Sequence, residues 1–169
     1  MNIKNKNSQS AFTLIELLVV IAIIGVIVSV VAVGLQTARS KGRDARRKAD
    51  LTQMQKALEL YENTNNNYPT TGGAWWGISA NGGSKTTTGA NAYIPGLTPT
   101  YLSELPVDPK GLTTDWSGYL YRSDGNSYKL LAHDTGPESF PNSTEPFYDP
   151  VRPTWAWMVC VGQTACETW

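Results

Sequence analysis

The sequence predicts an α+β fold, a long N-terminal α-helix packed against a small antiparallel β-sheet head, and three observations predict it. An apolar run from Phe12 to Leu35 carries one charge, Glu16, and the nineteen residues from Leu17 to Leu35 carry none. After that run, apolar and small residues keep recurring at spacings of three and four as far as Tyr61, which is the period of a helix with one buried face. Further on, short runs rich in aromatic and β-branched residues are separated by a Ser-Asp-Gly-Asn-Ser turn cluster, the pattern of paired strands.

The helix comes first. A helix over the nineteen uncharged residues is about 28 Å long at roughly 1.5 Å per residue, close to the hydrocarbon thickness of a bilayer, so the segment is read as membrane-spanning. An ionised carboxylate at the edge of such a segment costs on the order of 2.5–3.5 kcal/mol, which makes Glu16 a functional residue in need of a partner. Leu35, Ala38, Gly42, Ala45 and Ala49, then Leu51, Met54, Leu58 and Tyr61, continue the apolar stripe, with Arg, Lys, Asp and Gln assigned to the other face. Small residues early in the stripe suit close helix packing, and the larger ones later suit burial against a sheet. Asn63 to Asn67 and Pro69 end the helix. From Phe12 to Tyr61 the rod would measure about 75 Å.

The words Ala11-Phe12-Thr13-Leu14-Ile15-Glu16-Leu17-Leu18-Val19-Val20-Ile21 resemble the class III signal of type IV pilins and type II secretion pseudopilins. Ala45 to Leu51, Ala57 to Tyr61, Asn67-Tyr68-Pro69 and Tyr101 to Pro109 resemble further segments of that family. The resemblance implies a pilin-like fold and a prepilin whose leader, residues 1–11, is removed by a prepilin peptidase between Ala11 and Phe12, with methylation of the new Phe12 amine. The family normally has Gly before the cut, where this chain has Ala11. The implied organisation is a transmembrane and filament-core helix over 12–35, its amphipathic continuation over 36–64 and a head with a disulfide loop over 65–169. The implied partners are further copies of the chain in a helical filament, the peptidase, the membrane, and an assembly ATPase with its platform protein. The chain would sit in the cytoplasmic membrane before assembly and in a pilus at the cell surface after it. The physical reading of Glu16 agrees: a neighbour's Phe12 amine pairing with this carboxylate in low dielectric selects the register between subunits.

Two other readings compete for the apolar segment. A secretory signal peptide would share the basic start, Lys4 and Lys6, and could be cut near Ala32-Val33-Gly34, but the run is long for a signal peptide and has an acid at its head. A plain signal anchor would leave Glu16 snorkelling to headgroups. Arg39, Lys41, Arg43, Arg46, Arg47 and Lys48 follow the span and outnumber the basic residues before it, which by charge counting alone places the C-terminus in the cytoplasm. The leader resemblance, and the offset by Asp44 and Asp50, favour the opposite orientation.

Fourteen basic and fourteen acidic residues cancel, which argues against nucleic acid as a partner of the whole chain. The Arg39–Lys48 patch could touch DNA or anionic lipid, but no aromatic residues interleave it for base stacking, so headgroup anchoring and intersubunit ion pairs are the plainer reading. Thr70 to Thr100 is loop-like, and its Trp75-Trp76 pair is either core over the helix or an exposed platform on which sugars or other filaments stack. Tyr119–Arg122 and Tyr128–His133 form a hairpin across Ser123–Ser127, and a third strand near Trp155–Val161 completes the sheet.

Asp134 to Pro153 is proline-rich and irregular. The resemblance makes calcium the one cofactor to look for, in the loop after the hairpin, although His133 to Ser139 shows no ligand spacing. His133 is the only histidine, which with one cysteine pair argues against zinc. Asn142-Ser143-Thr144 fits a glycosylation acceptor. Cys160 and Cys166 form a disulfide if the head is exported and stay reduced if it is not; a C-terminal disulfide loop is also what many type IV pilins have. No nucleophile with a base, no phosphate loop and no paired carboxylates are present, so the chain is not read as an enzyme. Three functions follow. The first is a structural subunit of a type IV pilus. The second is a pseudopilin of a type II secretion or competence system, and the third is a membrane-anchored surface-binding module that does not polymerise. The disulfide loop favours the first reading. The Arg-rich run and Leu105-Pro106-Val107-Asp108-Pro109 favour the second.

Overall fold

The computed structural model describes residues 12–80, 85–111, 115–133 and 137–169. The chain divides into two compact units, Met1–Arg39 and Ser40–Trp169. Helix α1, Leu14–Asn65, supplies the described helical part of the first and the opening element of the second.

In the first unit α1 is long and apolar enough to cross a membrane, and none of that stretch is buried in the protein. Phe12 and Leu14 are 87 % and 88 % exposed, and the leucines, isoleucines and valines that follow are about half exposed or more. Apolar side chains left bare over so long a helix need a non-aqueous surrounding.

The second unit is an antiparallel sheet with the later part of α1 against one face. Its strands are β1 (Trp76–Gly77), β2 (Gly118–Ser123), β3 (Tyr128–His133) and β4 (Ala156–Val161), in spatial order β1-β2-β3-β4. The hairpin and the third strand lie where the sequence places them. Strand β1 does not belong to that expectation: Trp76 pairs with Tyr121 and Gly77 with Leu120, so part of the loop-like segment is in the sheet. Gly77 is required there, because a Cβ would stand 2.5 Å from Leu120 and 2.8 Å from the Tyr119 carbonyl oxygen. The β2–β3 turn is held by Asp124, whose Oδ1 accepts from the N–H groups of Asn126 (2.9 Å) and Ser127 (2.8 Å).

Alternation along the strands separates two faces. Tyr119, Tyr121, Tyr128, Leu130, Ala132 and Trp157 join Leu51, Met54, Ala57 and Leu58 of α1 in the main core. The segment before β2 belongs to that core as well, since Tyr93, Ile94 and Leu97 are completely buried. On the other face Ala80, Leu120, Leu131 and Ala156 form a smaller cluster with Trp75, Trp116 and Met158 against it.

The expected face of α1 needs one correction. Leu51, Met54 and Leu58 are buried, but Gly42, Ala45 and Ala49 are exposed, and the buried positions of the preceding turns are Asp44, Arg47 and Asp50. At about 100° per residue the small side chains lie roughly half a turn from the face that meets the sheet. The helix ends at Asn66, whose φ of 56° and N–H donated to the Glu62 carbonyl (2.7 Å) make a left-handed cap. A second helix, α2 (Gln163–Thr168), which the sequence did not suggest, fills the C-terminal loop.

Candidate functional site

Phe12 and Glu16 sit at the start of the first unit; Ala11 lies outside the described residues. Thr13 and Glu16 cap the helix reciprocally. The Thr13 N–H and hydroxyl both donate to Glu16 Oε2 at 2.8 Å, and the Glu16 N–H points back to Thr13 Oγ1 at 3.3 Å. The Thr-x-x-Glu spacing carried this signal, and the sequence reading passed over it by treating Glu16 only as a partner for an amine. Among the described residues Oε1 has no hydrogen bond, so the carboxylate can cap its own helix and still accept from another group.

In the second unit two residues of the basic run, Arg43 and Arg47, are engaged within the head. Arg47 is completely buried and forks onto Asp108, Nε to Oδ2 at 2.7 Å and Nη2 to Oδ1 at 2.8 Å. Its Nη1 donates to Asp44 Oδ1 at 2.8 Å. Asp44 also accepts from the Glu138 N–H (3.0 Å) and the Ser139 hydroxyl (2.8 Å), and Arg43 pairs with Glu138. Burial works against the Arg47 charge, but the hydrogen bonds and attraction of Asp108 and Asp44 outweigh it and raise its pKa. Asp50 is the converse case: burial raises its pKa, against the hydrogen bond it accepts from Tyr119 Oη (2.7 Å) and the pull of Arg46 (3.9 Å). Two segments remote in sequence, the one around Asp108 and the one around Glu138, are thus fastened to a single turn of α1.

Cys160 and Cys166 are joined, with Cα atoms 5.5 Å apart, and enclose the start of α2. Beneath them Lys129 is fully buried; its Nζ donates to Asp149 Oδ1 (2.8 Å), the Trp169 carbonyl (2.9 Å) and the Cys166 carbonyl (3.4 Å). Burial lowers the Lys129 pKa, against the pull of Asp149. Trp75 and Trp76 separate to opposite faces of the sheet, Trp76 onto the main core and Trp75 onto the smaller cluster. Asn142, Ser143 and Thr144 are exposed. Of the loop considered for calcium, 134–136 lie outside the described residues, and the Glu138 carboxylate is engaged by Arg43. Among the described residues no three His, Cys, Asp or Glu side chains gather as a metal-ligand set.

A family model described as the prokaryotic N-terminal methylation motif matches residues 6–32. The chain is similar to type II secretion system core protein G of Klebsiella pneumoniae, 31 % identical over 137 residues that cover 81 % of this chain and 91 % of that protein. The protein of the same name from Pectobacterium carotovorum is likewise 31 % identical, covering 81 % of each. That of Aeromonas hydrophila is 39 % identical over 66 residues, 39 % of this chain and 46 % of that protein. No solved structure matches the chain significantly. A match of 137 residues cannot be contained in α1 and must run through the head, and on that ground the chain belongs to the type II secretion system core protein G family.

Proposed function

We propose that this protein is a pseudopilin, a structural subunit that polymerises through its N-terminal helix into the filament of a type II secretion system. The carrying observation is that similarity to core protein G extends into the head. The methylation motif alone would suit either kind of filament. A prepilin peptidase cuts between Ala11 and Phe12 and methylates the Phe12 amine. The apolar helix holds the subunit in the cytoplasmic membrane, and an assembly ATPase with its platform protein moves it into the filament.

Geometry supports the assembly step. The described apolar side chains of α1 between Leu14 and Leu35 are bare, and Gly42, Ala45 and Ala49 remain exposed on the face away from the head, open to close approach by another helix. Glu16 keeps Oε1 for the Phe12 amine of a neighbouring copy. A type IV pilus subunit is the second reading, favoured by the disulfide loop between Cys160 and Cys166.

The test starts with intact mass and N-terminal sequencing of the protein from its native cells. A chain beginning at Phe12 with one added methyl is expected; one beginning at Met1 overturns the proposal. Glu16→Leu should leave membrane insertion intact and reduce cross-linked multimers at least tenfold, and unchanged multimers would reject the amine pairing. Deleting the gene should abolish export of a secreted enzyme while leaving surface pili in place. Loss of pili with normal export would favour the pilus reading.

A further inference from the structure

The sheet face turned away from α1 carries a cleft that the assembly reading does not use. Its floor is Leu120 and Leu131, paired across β2 and β3. Trp75, Trp116 and Trp155 stand around it, with His133 and Arg152 as the polar lining, and the cavity measures about 160 Å³. Three indoles drawn from three distant segments converge on one small depression. Trp155 remains 48 % exposed, and Trp75 and Trp116 are half-buried. Rings whose task was only to seal the floor would close over it.

The cleft is also held in place. Trp116 has a φ of +68°, a left-handed backbone that a bulky side chain adopts at a cost of roughly 1–3 kcal/mol. Its N–H donates to the Ser79 carbonyl (3.2 Å) and to Asp115 Oδ1 (3.1 Å), and its own carbonyl accepts from His133 Nδ1 at 2.8 Å. A carbonyl can only accept, so Nδ1 carries the proton. The His133 ring in turn packs against Trp155 at 5.3 Å. Arg152 and Arg122 both place their guanidinium groups over the Trp75 ring, at 5.3 and 5.8 Å. Arg152 Nη1 donates to the Trp169 carbonyl at 2.7 Å and lies 3.4 Å from Asp149, which fixes the guanidinium.

We propose that this cleft binds a pyranose ring of a polysaccharide. The exposed indole of Trp155 offers a flat surface to the axial C–H groups of a sugar ring, and a fixed guanidinium at the rim donates to its hydroxyls. The size decides the class: drug-sized ligands need roughly 300–1,000 Å³, and this depression admits a single ring projecting from a chain.

The experiment titrates the full-length chain, in a detergent without a sugar headgroup, with cellotetraose, chitotetraose and tetragalacturonate. Tryptophan fluorescence and saturation-transfer NMR are the readouts. Saturable binding of at least one of these oligosaccharides in the millimolar range is expected, weakened about tenfold or more by Trp155→Ala. Trp155→Phe, which keeps a ring, should fall between, and Phe140→Ala, an exposed ring lining a different groove, should bind as the parent does. Thermal melts establish that each variant is folded. Absence of saturable binding for all three oligosaccharides overturns the proposal, as does binding that Trp155→Ala leaves unchanged. A signal that follows protein rather than sugar concentration, and so marks a second copy in the cleft, overturns it as well.

Discussion

Arg47→Met should unfold the head far more readily than any surface charge change on the same helix. The substitution preserves most of the apolar stem and removes a guanidinium that is completely buried among Asp108 and Asp44. Among the described residues Asp108 is left with the Lys110 N–H (2.8 Å) as its donor in an interior position, while Asp44 keeps the Glu138 N–H and the Ser139 hydroxyl. Removing one member of a buried ion pair leaves an uncompensated charge and costs about 3–5 kcal/mol, against about 0–1 kcal/mol for an exposed pair. For a folded unit the size of Ser40–Trp169 that loss lowers Tm by roughly 10–20 °C. The assay is thermal and urea unfolding of the full chain in detergent, followed by near-ultraviolet circular dichroism of the head's aromatic residues. Arg47→Lys should fall between, since it keeps the charge and loses the two-pronged geometry. Arg47→Met with Asp108→Leu should recover part of the loss, because the stranded carboxylate is gone. A loss below about 1 kcal/mol for Arg47→Met would refute the reasoning and mean that water reaches the network.

Reducing the Cys160–Cys166 bond, or replacing both cysteines with serine, should cost about 2 kcal/mol for so short a loop and loosen α2 first, as hydrogen exchange of residues 163–168 would report; equal protection in both states contradicts this. Gly162→Ala should destabilise by roughly 1–3 kcal/mol, because φ there is +92° and a Cβ would stand 2.2 Å from Ser127 Oγ; Ser127→Gly in the same chain should relieve the clash and leave the strain. Asp50 has a raised pKa in the folded state, so its charged form costs stability above that pKa, and the cost disappears as pH falls through it towards the unfolded value. Asp50→Asn, which can still accept from Tyr119, should therefore be more stable than the parent at pH 7 and equal to it below about pH 4; an advantage that grows on acidification would reverse the sign.

The parts of this fold legible in the sequence are those encoded by one period over enough residues. Nineteen uncharged residues announce the span, and Tyr119–Arg122 with Tyr128–His133 across a Gly-containing turn announce the hairpin. Strand β1 is two residues long, too short for any alternation to register, and it exists because Trp76 and Gly77 meet an edge already formed by β2. Tyr93, Ile94 and Leu97 sit among Gly, Thr and Asn with no repeat, and only the completed core shows where they go. Asp44, Arg47 and Asp50 were misassigned for a different reason. Charged residues on a helix default to the solvent face, and the partners that make their burial tolerable, Asp108 and Glu138, stand 61 and 94 or more residues away. The Thr13–Glu16 cap was legible, four residues in a row, and was obscured by a second role for the same carboxylate.

That burial also bears on the charge count that places the C-terminus in the cytoplasm. Six basic residues follow the span between Arg39 and Lys48, and the positive-inside rule reads them as a cytoplasmic anchor. In the folded head, Arg43 is paired with Glu138, Arg47 with Asp108 and Asp44, and Arg46 stands 3.9 Å from Asp50. The rule describes bare charges meeting the translocation machinery, and Asp108 and Glu138 leave the ribosome well after the arginines they neutralise. These pairs therefore form only after the charges that the rule counts have met that machinery bare. Once the head is folded, freeing Arg47 for any other partner requires breaking a buried network at a cost of about 3–5 kcal/mol. Arg43 and Arg47 are accordingly folding determinants of the head, a role that the charge count does not register.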